Sequence, residues 1–104
     1  MKKNTVMLML LVFIIGCAST AQKGAIGLAY KNYKEGDYED VLKWTSQAEK
    51  YKDTSHEMKA EILFLKAQAL EELERHNESQ GTFKYIVDNF SDTEYGYRAK
   101  EKLK

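Results

Sequence analysis

A pattern recurs in this chain at an offset of 38 residues, and that recurrence constrains the fold more than any other feature. In the first copy, Leu28-Ala29 leads to Glu35-Gly36-Asp37-Tyr38-Glu39-Asp40-Val41-Leu42 and on to Ala48. In the second, Lys66-Ala67 leads to Glu74-Arg75-His76-Asn77-Glu78-Ser79-Gln80 and on to Ile86. A period of this length holds two helices and two turns, the unit of a helical hairpin array. One hairpin cannot bury its apolar face alone, so the copies must stack on each other.

The apolar spacing between the turns is helical. Ala60, Leu63, Phe64, Ala67 and Leu70 recur at steps of three and four, and Ile62, Leu65, Ala69 and Leu73 form a second stripe. A helix apolar on two sides is packed between neighbours. Phe83, Ile86, Val87 and Phe90 give one narrower stripe on the next helix, and Tyr95, Ala99 and Leu103 a last one at four-residue steps. Thr54 with Glu57, Ser91 with Glu94 and, more loosely, Asn77 with Gln80 read as capping boxes. Gly36-Asp37 reads as a turn followed by an N-cap. Proline is absent throughout, which suits a helical chain. These signals predict an all-α domain with helices over residues 21–35, 38–51, 55–74, 77–89 and 93–103.

The N-terminus has a different character. Lys2 and Lys3 precede an unbroken apolar run, Val6–Ile15, and Gly16-Cys17 follow. The run is short of the ~20 apolar residues that span a bilayer, and its basic start and small-residue end are those of a secretory signal. Ile14-Ile15-Gly16-Cys17 resembles the bacterial lipobox, which implies cleavage before Cys17 and acylation of its thiol. The other cut that fits is that of an ordinary signal peptide, near Ala18-Ser19-Thr20-Ala21. Lipidation accounts for the lone cysteine, which has no partner for a disulfide. The expected organisation is a cleaved signal over 1–16, acylated Cys17 with a short tether over 17–21, and one domain over 22–104. The lipobox resemblance implies a diacylglycerol and an N-acyl chain on Cys17, and no other cofactor. Ala18 in the following position implies the outer membrane, facing the periplasm.

Glu35-Gly36-Asp37-Tyr38-Glu39-Asp40-Val41 resembles the middle of a tetratricopeptide repeat (TPR), where such a turn joins helix A to helix B. The small or apolar family positions fall on Leu28, Ala29, Val41 and Ala48, then on Leu63, Ala67, Ser79, Phe83 and Ile86. The segment from Phe83 to Tyr95 is similar to a variant common in envelope lipoproteins. Asn32 stands at a usual tyrosine position, Thr45 at a usual aromatic one, Glu74 where glycine is common, and Ser91 in place of a closing proline. The resemblance implies a TPR-like array of about two repeats with a C-terminal capping helix. It also implies a concave groove lined by Lys23, Ile26, Tyr30, Tyr33 and Lys34, then by Glu61, Phe64, Gln68, Glu71 and Glu72. Spacing places Ile26, Tyr30 and Tyr33 on one helix face, and Phe64, Gln68 and Glu71 on another. The competing reading of Tyr30, Tyr33 and Phe64 is as core, and of the Glu71-Glu72-Glu74 cluster as a solvated face. Glu71 and Glu72 oppose the dipole at their helix end, which hints at a basic neighbour. Trp44 is expected between the hairpins or half exposed.

Several function classes are excluded as expectations. Sixteen basic residues balance sixteen acidic ones, and loss of Lys2 and Lys3 leaves the remainder slightly acidic, so nucleic acid is not the expected partner. His56 and His76 lack ligands at zinc-like spacing, the glycines form no phosphate loop, and no nucleophile, base and orienter assemble. The expected role is non-enzymatic: a lipid-anchored adaptor that binds envelope proteins, in outer-membrane, pilus or secretion assembly. The alternatives are a structural lipoprotein that self-associates as a homodimer, and a dedicated pilotin- or immunity-like binder.

Overall fold

A computed structural model of the chain describes residues 23–104. The expected signal peptide, Cys17 and its tether lie outside the described residues, as do the first two positions of the first expected helix. Every regular element among the described residues is an α-helix. They are α1 (23–35), α2 (Tyr38–Glu49), α3 (His56–Glu72), α4 (His76–Asn89) and α5 (Glu94–Lys102). All described ends fall within two residues of those read from the sequence.

The offset of 38 is written into the turns. At the end of α1, Gly36 takes a positive φ of 81°, its N–H donates to the Tyr33 carbonyl, and the Asp37 N–H reaches back to Asn32. At the end of α3, Glu74 has φ 60°, its N–H donates to Glu71, and the Arg75 N–H reaches back to Leu70. Both are Schellman closures, which satisfy the last carbonyls of a helix through one left-handed residue. The residues that follow match in backbone as well, with Asp37 at φ −87°, ψ 67° and Arg75 at φ −88°, ψ 65°. The other two turns correspond too. Ser55 caps α3 by accepting from the Met58 N–H, and Thr93, 38 residues on, caps α5 by accepting from the Gly96 N–H.

Three capping expectations are corrected. Ser55 and Thr93, not Thr54 and Ser91, cap their helices, because α3 and α5 begin one and two residues later than those boxes require. The Thr54 hydroxyl instead donates to the Tyr51 carbonyl at 2.7 Å. Asn77 lies inside α4, whose N-cap is Arg75 with no side-chain bond, and Asp37 occupies its cap position without making one.

Burial repeats with the turns. Ala29 and Ala67, Val41 and Ser79, Thr45 and Phe83, and Ala48 and Ile86 are buried in pairs 38 residues apart. Thr45 takes its aromatic-sized position by donating its hydroxyl to the Val41 carbonyl at 2.9 Å, so no polar atom is stranded. α3 is the shared element. It packs against α2, α4 and α5, and its Leu65 and Ala69 join Ala29 of α1 in one cluster while its Ile62 joins Ala25 in another. Trp44 is half-buried between those two clusters. The largest cluster joins Ala60, Phe64 and Ala67 to Phe83, Ile86, Phe90 and Ala99.

Candidate functional site

The two sides of α3 differ. On one side α1, α3 and α5 approach each other. The Tyr30 hydroxyl of α1 donates to Glu61 Oε1 of α3 at 2.6 Å, Phe64 of α3 meets Tyr95 of α5 at 5.6 Å between centroids, and Lys102 Nζ of α5 lies 3.6 Å from Glu71 Oε1. On the other side α2 and α4 do not touch. A row of helices that closes on one side and splays on the other is concave on the closed side. The splayed side holds a cleft of about 370 Å³ over Ile62, Leu63 and Lys66, with Tyr85 on its wall. The concave side holds a hollow of about 460 Å³ lined by Phe64, Gln68, Tyr97, Arg98, Glu101 and Lys102.

The residues expected to line a groove divide into three groups. Tyr30 and Glu61 pair on the concave side, and Gln68 and Glu71 follow along the same side of α3, Tyr30 being 42% exposed and the other three half-buried. Lys23, Lys34 and Glu72 are exposed at the ends of their helices. Ile26, Tyr33 and Phe64 are packing residues. Ile26 lies against the Ala25, Ala48 and Ile62 cluster, Tyr33 meets Tyr38 edge-on at 5.4 Å, and Phe64 is 5% exposed between Phe83 and Tyr95. Phe64 contributes only the floor of the hollow, because α3 needs a large apolar side chain wherever it faces both α4 and α5. The basic neighbour of Glu71 is Lys102 of the same chain.

The electrostatics follow the geometry. Burial, then the hydrogen bond and charge of Glu61, push the Tyr30 phenol far above its ordinary range. Burial and the Glu61 charge also raise Tyr95, and burial with Glu72 raises Tyr33. Arg98 pairs with Glu94 at 3.2 Å and lies over the Tyr95 ring, 5.6 Å from its centroid. At the start of α3, His56 Nε2 meets Asp92 Oδ1 at 2.8 Å while its ring packs on Phe90 at 4.7 Å. That bond holds Asp92 below the usual carboxylate range.

Sequence reading missed Tyr95, Tyr97, Arg98 and Lys102 as concave residues because it treated α5 only as a cap. The signal was present: α3 starts at His56 and α5 at Glu94, again 38 residues on, which makes α5 the start of a third unit. No family model matches this chain, and the comparisons with curated proteins and with solved structures found no match.

Proposed function

We propose that this protein is a TPR-like lipoprotein of the bacterial envelope, held to the membrane through acylated Cys17, whose concave face binds a segment of a partner protein. The concave face carries this reading. It combines a hollow of about 460 Å³ with aromatic and polar side chains offered to solvent, Tyr97 at 67% exposure and Tyr30 at 42% among them. Tyrosine supplies large contact area at low entropic cost and is enriched where binding energy concentrates. No described helix is long and apolar enough to cross a membrane; the anchor in this reading is the lipid on Cys17. Several acyl chains at about 0.8 kcal/mol per buried methylene hold stably, and tethering raises the local concentration of the face for membrane partners.

The test is site-specific photo-crosslinking in the native membrane. A crosslinker at Gln68 should capture a defined envelope protein, and the same crosslinker at Tyr85 on the splayed side should not. Equal capture from both sides, or capture unchanged when Cys17→Ser releases the chain, would refute the proposal. The self-associating alternative draws on Tyr97 and Leu103, both exposed at the open end of the array. It predicts that Gln68 and a crosslinker at Tyr97 capture only a second copy.

A further inference from the structure

Glu61 and Glu71 are both half-buried and lie on the concave side of α3. They are treated differently. Glu71 is neutralised by Lys102. Glu61 has no cation within ion-pair distance among the described residues, and its one hydrogen bond comes from the neutral Tyr30 hydroxyl. Arg98, the cation of that neighbourhood, is committed to Glu94 and the Tyr95 ring. A half-buried carboxylate without a cation is unfavourable, since its lost hydration is only partly replaced. Glu61 also keeps free lone pairs. A carboxylate offers about four acceptor sites, and Tyr30 occupies one.

We propose that Glu61 anchors one basic side chain, arginine or lysine, of the bound partner segment, with Tyr30 as its aromatic wall. The inference rests on the concave face being the binding surface. The chemistry is charge complementarity at a single point. A guanidinium or ammonium restores the missing counter-charge in a setting drier than the open surface, where an ion pair contributes more than the exposed pairs elsewhere on the molecule. Tyrosine faces attract cations through their ring quadrupole, and arginine most often makes such contacts. Tyr30 positions the carboxylate by fixing one oxygen, leaving the other to accept from the incoming group.

The experiment uses the full chain in mild detergent micelles and three acetylated, amidated pentapeptides, Gly-Ser-X-Ser-Gly, in which X is arginine, citrulline or glutamate. Binding is followed by amide chemical-shift changes. The arginine peptide should perturb residues around Tyr30, Glu61 and Tyr95, and bind at least fivefold more tightly than its neutral citrulline twin. Glu61→Gln, which preserves an acceptor for Tyr30, should abolish that preference while helicity by circular dichroism is unchanged. Perturbation of the concave face with no preference for arginine over citrulline, or with a preference that survives Glu61→Gln, overturns the anchor and leaves the binding face standing. Tighter binding of the glutamate peptide overturns it in favour of an acidic segment. No perturbation on the concave face by any peptide overturns both readings together.

Discussion

Gly96 is held in place by its neighbour's backbone. A Cβ at this position would lie 2.8 Å from the Phe90 carbonyl carbon, nearer still to its oxygen, and 3.0 Å from Ser91 Cα. None of those atoms can swing aside, so Gly96→Ala should separate α5 from the α4–α5 turn at a cost of about 2–3 kcal/mol. Urea unfolding measures this directly, and a loss below about 1 kcal/mol would show that the turn yields. Ser79 gives the opposite expectation. Its hydroxyl is buried with no hydrogen-bond partner, so Ser79→Ala should be neutral or stabilise by up to about 1 kcal/mol. The tyrosines add a pH dependence. Tyr30, Tyr33 and Tyr95 have raised phenol pKa values, so the folded protein keeps protons that the unfolded chain releases above pH ~10. Their contribution is complete below that pH and is lost as pH rises. The urea midpoint should fall as pH rises above about 10, less steeply in Tyr30→Phe than in the parent. Legibility in the sequence tracks the range of the constraint. Ala29 and Ala67 announce themselves through the repeat, whereas Gly96 answers to a carbonyl in the preceding turn, and Tyr30 meets Glu61, 31 positions further on, with no local pattern to link them.

At the scale of elements, the two Schellman turns form a natural pair for comparison. They share geometry, but one uses Gly36 and the other Glu74 at the left-handed position. A side chain there costs about 1–2 kcal/mol, partly offset because glycine loses more freedom on folding. Gly36→Ala should therefore destabilise by about 1 kcal/mol or more, and Glu74→Gly should stabilise by about 0.5–1 kcal/mol. A destabilised Glu74→Gly variant would reveal a role for the Glu74 side chain that the turn geometry does not contain. The link between the start of α3 and the turn before α5 is the His56–Asp92 bond, and Asp92 has a lowered pKa because of it. A lowered carboxylate pKa contributes stability above the unfolded value near ~4 that is lost as pH falls through the folded one. The stability gap between the parent and Asp92→Asn should close on acidification below pH ~4, and a gap that persists would mean the bond is not charge-assisted. Helix existence was readable because the apolar stripes repeat. Helix caps were readable only to within a residue or two, since adjacent hydroxyls such as Thr54 and Ser55 both satisfy the pattern and only the backbone path selects one.

The whole molecule depends on α3. Its side chains enter all three core clusters, so the N-terminal hairpin, the C-terminal hairpin and α5 share one central strut. That double-sided burial was legible in the two apolar stripes of residues 60–73, and the same feature hid the assignment of Phe64. A helix apolar on both faces gives no sign of which face remains open, and only the packing of α5 placed Phe64 in the core beside Tyr95. A shared strut makes unfolding cooperative, because neither hairpin can melt without exposing apolar surface of α3 that the other still needs. The only tryptophan, Trp44, packs in the N-terminal hairpin, while Ile86 is fully buried in the C-terminal one. Trimming Ile86→Val should cost about 0.5–1.5 kcal/mol. For a domain of this size that lowers the melting temperature by roughly 2–12 °C. The decrease should appear in Trp44 fluorescence and in far-ultraviolet circular dichroism by the same amount, although Ile86 and Trp44 share no core cluster. If the Trp44 transition stays where it was while the dichroism transition moves or splits, the hairpins melt independently. The concave face would then be a junction between two units, and the alignment of Tyr30 on α1 with Glu61 on α3 would depend on how firmly those units are docked.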